Sequence, residues 1–182
     1  MNDKQVLYVN RAGLIERGWP PDLIDRLLGP PDENRLWRLD HVEAARQRIA
    51  EAIQAPLADP KQAMEDVSYE LHFTPEVKRR IRLLFGDDYY DRSVVERLIL
   101  RMMPPDAGRL LQPGPGAPLA WTILLFRAAR AVAHAYPRLA RYAFEFAEHF
   151  SGTTERKTAL AVSAVLPELA HLFTPKEVGD AG

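Results

Sequence analysis

The sequence contains no cysteine. That excludes a disulfide scaffold, a thiolate metal site, a thiol nucleophile and an iron–sulfur cluster. It has no excess of either charge, with 24 Lys and Arg against 25 Asp and Glu, a formal charge of −1. A polycation that coats nucleic acid over its whole surface is therefore excluded, although a local basic face is not. It has no long apolar run. The most apolar stretch, residues 117–126, stops at Arg127, well short of the ~20 residues a bilayer-spanning helix needs. The opening MNDKQVLYVNRAG lacks the apolar segment of a secretion leader. No internal repeat or low-complexity tract is visible. The expectation is a soluble, cytoplasmic protein with no membrane partner.

Catalytic and cofactor signatures are missing too. The five histidines, at positions 41, 72, 134, 149 and 171, follow neither HExxH nor His-x-His spacing. Glu145, Glu148 and His149 fall on one helix, but a metal would need ligands from a second element. The acids of Asp87-Asp88-Tyr89-Tyr90-Asp91 read as turn and cap residues. Gly114-Pro115-Gly116 is no phosphate loop, because proline removes amide donors and no Gly-Lys-Ser/Thr follows. Ser151 and Ser163 have no Gly-x-Ser-x-Gly frame. The expectation is a protein that is not an enzyme and needs no cofactor or metal.

What is present is 182 residues of which 47% are hydrophobic, enough for one ordinary domain or two small ones. The pattern predicts a mainly α chain. Residues 1–55 read as one unit, 56–74 as a linker with Pro56 and Pro60, 75–174 as a helical region, and 175–182 as a flexible tail. In the first unit Asn10 is placed to cap a short helix over 11–17, and Gly18 to end it. A turn at Trp19-Pro20-Pro21 leads to a second short helix over 21–28. Its inner side is Leu23, Ile24, Leu27 and Leu28, and Gly29 closes it. Residues 30–34 form a turn and 35–39 a short strand. Asp40 with Glu43 reads as a capping box for a third helix lined by Val42, Ala45, Ile49 and Ile53. Trp19 and Trp37 read as core residues.

The stretch YVNRAGLIERGWPPDLIDRLLGPPDENRLWRLDHVEAA resembles the MerR/excisionase-type winged helix-turn-helix. The likeness lies in a helix ending Arg-Gly-Trp, a helix of type LIDRLLG, and a strand Arg-Leu-Trp-Arg followed by Asp-x-Val. It covers roughly the first quarter of the chain. The resemblance implies an N-terminal winged helix-turn-helix followed by a helical bundle, and binding to duplex DNA, since the second helix of such units enters the major groove. By that likeness Arg11 lies at a phosphate-contact position. Pro21, Asp22, Asp25 and Arg26 form the outer face of the recognition helix, and Arg35 and Arg38 flank the wing. A regulatory or architectural DNA-binding protein, nucleoid-associated, follows as the expected function. The alternative is a protein–protein interaction module in a larger complex with no DNA contact. Residues 1–55 carry eight basic against nine acidic side chains, with Asp32 and Glu33 in the wing turn. This predicts a weak reader that needs a second site or a dimer.

The helical region offers candidates for both. In VKRRIRLLF, Lys78, Arg79 and Arg82 share one helix face, and Val77, Ile81, Leu84 and Phe85 the other. That cationic side suits phosphate backbone, an anionic membrane surface, or plain solvation beside Asp87, Asp88 and Asp91. Trp121, Phe126, Tyr142, Phe144, Phe146 and Phe150 are dense for one small bundle. This predicts a homodimer that would set two winged helices on one duplex.

Overall fold

The computed structural model describes residues 5–71 and 73–174; the expected tail 175–182 and His72 lie outside them. In chain order the elements are β1 (Tyr8–Asn10), α1 (Arg11–Glu16), a 3₁₀ turn (Pro21–Leu23), α2 (Ile24–Leu28), β2 (Leu36–Arg38), α3 (Leu39–Gln54), α4 (Pro60–Glu70), α5 (Pro75–Phe85), α6 (Tyr89–Met102), α7 (Ala107–Leu110), α8 (Ala117–Ala135), a 3₁₀ turn (Pro137–Leu139), α9 (Ala140–Ser151), α10 (Glu155–Val165) and a 3₁₀ stretch (Pro167–Phe173). The described chain is mainly α, with one two-stranded sheet.

Two compact units result. The first joins residues up to 55 with 108–123 and the residues from 153 on. Residue 55 therefore does not close it. In this unit β1 and β2 pair antiparallel, Tyr8 opposite Arg38 and Asn10 opposite Leu36. Asn10 Oδ1 accepts from Gly13 N at 2.8 Å and caps α1. The helix ends where Gly18 N donates to Ile15 O and Trp19 N to Leu14 O, the two bonds of a Schellman turn, with Gly18 at φ +91°. A Cβ at Gly18 would lie 2.4 Å from Ala164 O, so α10 leaves room only for hydrogen. Leu14, Trp19, Ile24, Leu27, Leu28 and Trp37 are buried together with Val42, Ala45, Ile49 and Ile53 of α3. Fully burying a side chain of this size contributes about 2 kcal/mol. The expected capping box of α3 is absent. The helix starts at Leu39 without a side-chain cap bond. Asp40 instead accepts from its neighbour His41 N and binds Arg38. The apolar spacing predicts one last helix over about 154–173 kinked at Pro167; instead α10 stops at Val165 and a 3₁₀ stretch takes over, because proline lacks the donor the helix needs.

The second unit comprises residues 56–107 and 124–152. The expected linker 56–74 holds α4. Pro60 sits in its first turn, and Asp59 Oδ1 accepts from Lys61 N and Gln62 N. A proline read as punctuation thus starts a helix, where its missing N–H is no loss. Ala63 and Val67 are buried, and Glu70 binds Arg97 and Arg101 of α6. α6 buries Val94, Val95, Leu98, Ile99 and Met102 and packs against α4, α5 and α9. Residues 124–126, 128, 129 and 132 of α8 are fully buried. On α9 the buried line is Ala143, Ala147 and Ser151; a helical stripe through Leu139, Ala143, Phe146 and Phe150, which the spacing predicts, is buried at Leu139 and Ala143 but not at Phe150. Small residues let the helix lie close. The rings of Phe146 and Phe150 lie 4.6 Å apart, tilted by 41°, with Phe150 54% exposed.

Candidate nucleic-acid interface

Residues 21–28 form a short rod with one side buried and one side open. The 3₁₀ turn and α2 turn Ile24, Leu27 and Leu28 inward and leave Pro21, Asp22, Asp25 and Arg26 exposed. Gly29, at φ +77°, turns the chain out of the rod, and Trp37 Nε1 donates to its carbonyl at 3.0 Å. His41 Nε2–H donates to Leu28 O at 3.0 Å, which ties the end of the rod to α3.

Arg11 is anchored at three points. Its guanidinium donates to Asp25 at 2.5 Å and to Pro21 O at 3.1 Å, and lies 5.7 Å from the Trp37 ring centre. Arg11, expected at a phosphate-contact position, is exposed and held by Asp25. A fourteen-residue separation offers no local signal of that pairing. Arg38 is engaged likewise, by Asp40 at 2.6 Å. That contact holds the Asp40 carboxyl below its ordinary range and raises the guanidinium. Asp40, read from the sequence as the cap of α3, lies in its first turn and pairs with Arg38 instead. Exposed pairs of the Arg11–Asp25 kind contribute about 0–1 kcal/mol and exchange readily for another anion.

Arg35 differs. It is exposed, takes φ +62°, and has no carboxylate partner among the described residues. The turn that presents it is built by Asp32, whose Oδ1 accepts from Asn34 N at 2.9 Å and Leu36 N at 2.8 Å. Asp32, read from the sequence only as a repulsive charge, is the organiser of the wing turn, an Asx role. Arg11, Asp25, Pro30, Pro31, Arg35 and Trp37 line one concavity beside the rod. Pro30, Pro31 and Trp37 are site residues that sequence reasoning did not assign.

The remaining predicted cations lie in the second unit, on α5. Thr74 Oγ1 caps the helix through Val77 N, and Gly86, at φ +102°, ends it. Arg80 pairs with Glu76 at 2.8 Å, and the Lys78 ammonium lies 5.0 Å from the Tyr90 ring centre. Arg79 and Arg82 are exposed, with no carboxylate partner among the described residues. No residue of α5 is buried. Of the aromatics expected to exceed one core, Phe126 is fully buried and Phe150 is exposed. Among the described residues no group of His, Asp and Glu is placed to hold a metal ion, and no helix is long and apolar enough to cross a membrane. Comparison with known proteins finds no similarity: no family model, no curated protein and no solved structure matches the chain.

Proposed function

We propose that the protein is a non-enzymatic DNA-binding protein whose N-terminal unit docks the open side of the 21–28 rod on duplex DNA. The observation that carries this reading is the order β1–α1–rod–β2–α3, with the rod's apolar side buried and the Arg35 turn beside its free side. That order agrees with the MerR/excisionase resemblance of the same residues. Arg11 and Arg38 would have to leave Asp25 and Asp40 for phosphate, and Asp22 and Asp25 face the same polyanion. The reading therefore requires weak binding by one unit and gains from a homodimer. Exposed Phe150, tilted against Phe146, is the surface offered for pairing.

A salt-titrated anisotropy assay on random duplex DNA tests it. Four phosphate contacts give a slope of log affinity on log salt near −3.6, since each neutralised phosphate contributes about −0.9. Affinity that is absent at low salt, or flat with salt, overturns the reading. Light scattering should give twice the 20.6 kDa of one chain; a mass of one chain removes the homodimer.

A second reading rests on the ion pairs themselves. The outer side of the rod, with Arg11 held by Asp25 and Asp22 unanswered, is close to neutral and mixed in sign, which suits a protein partner. Under it, variants that free Arg11 create no DNA affinity.

A further inference from the structure

The open side of α5 is more apolar than a DNA surface requires. Leu83, Leu84 and Phe85 are 77%, 76% and 61% exposed. They fill most of the last turn of the helix, which Arg82 completes. Phe85 stacks on Tyr89 at 4.7 Å, and Tyr89 is itself exposed. One to two turns back along the helix, roughly 6–10 Å at about 1.5 Å per residue, come Lys78 and Arg79, with Arg82 immediately before the tip. None of the three has a carboxylate partner among the described residues. Glu76 is taken by Arg80 and Asp88 by Arg92; Asp87 is the acid beside the tip.

We propose that α5 and the turn after it form a docking patch for a bilayer surface rich in anionic phospholipid. The last turn enters the acyl boundary and the three cations meet the phosphate groups above it. The chemistry is layered as the helix is: apolar at the end, positive one turn behind. An interfacial helix buries its apolar part about 5–10 Å below the headgroups while Lys and Arg stay among them. A duplex supplies phosphate but nothing that rewards removing two leucines and a phenylalanine from water. The patch crosses no membrane, and it replaces the expectation of no membrane partner for this segment alone. It is independent of the DNA reading.

The test uses the full chain and sedimentation with vesicles of phosphatidylcholine alone and of phosphatidylcholine mixed with phosphatidylglycerol. Binding is expected to the mixed vesicles only. K78Q/R79Q/R82Q should weaken it about a hundredfold, at ~1 kcal/mol per basic residue. L84Q/F85Q should weaken it more than about tenfold, and D87N should strengthen it. Because α5 has no buried residue, thermal unfolding of these variants should match the parent. No sedimentation with mixed vesicles overturns the proposal. So does a charge variant that loses duplex DNA while L84Q/F85Q keeps lipid binding unchanged. A parent dimer that L84Q/F85Q converts to a monomer overturns it in favour of a second copy of the chain.

Discussion

Two elements of this chain carry arginines beside apolar residues, and they are built in opposite ways. Around the 21–28 rod the apolar residues are buried and the arginines Arg11 and Arg38 are answered by Asp25 and Asp40. On α5 nothing is buried, and Lys78, Arg79 and Arg82 have no carboxylate partner among the described residues. Charge counted along a sequence is therefore not charge presented to a partner. A wheel with two distinct faces also does not say whether the apolar one will be covered.

The sharpest way to break this comparison is to measure what each apolar face contributes. Trp19→Ala or Ile24→Ala should cost about 3–5 kcal/mol in urea unfolding, the toll of a cavity in a packed core. Leu84→Ala should stay within about 0.5 kcal/mol. Equal effects would mean that α5 is covered after all. Backbone fit around the rod comes next. Gly18→Ala places a methyl against Ala164 O at a positive φ and should cost about 2 kcal/mol or more. Gly29→Ala meets nothing within 4 Å and should cost about 1–2 kcal/mol from conformation alone.

The charges follow. Asp25→Asn frees Arg11 and removes a repulsive acid, so duplex affinity should rise roughly threefold to tenfold, the worth of about 1 kcal/mol. No change would favour the protein-partner reading. The smallest effect concerns pH. Asp40 is held low by Arg38, and Glu145 by Arg141 and Arg92. The stability these acids add is present above their unfolded values and is lost as pH falls through the lower folded ones. A slight destabilisation beginning as pH falls below the ordinary carboxylate range is expected, and NMR titration of both carboxyls reads it directly.

Much of the first unit was legible in the sequence because its cues are local. Asn10 caps, Gly18 ends a helix, and Val42, Ala45, Ile49 and Ile53 repeat at helical spacing. The strand over 35–39 was found to within its ends. What failed was of two kinds. Proline is ambiguous, since it breaks a helix from within and opens one from the start, and Pro60 was read the wrong way. Distant pairing leaves no mark on the chain. The Arg11–Asp25 contact, the burial of Ala147 in place of Phe150, and the joining of residues 108–123 and those from 153 on to the first fifty-five are all non-local.

That last joining bears on how the molecule is made. Gly116 N donates to Leu27 O, a Cβ at Gly116 would lie 2.8 Å from Ala45 O, and Arg46 reaches Glu168. Part of the surroundings of this unit is thus supplied by chain that leaves the ribosome roughly ninety residues or more after the rod itself. The N-terminal segment gains these neighbours only once residues 116–168 have been made, so until then it should wait in a loosely packed, protease-sensitive condition.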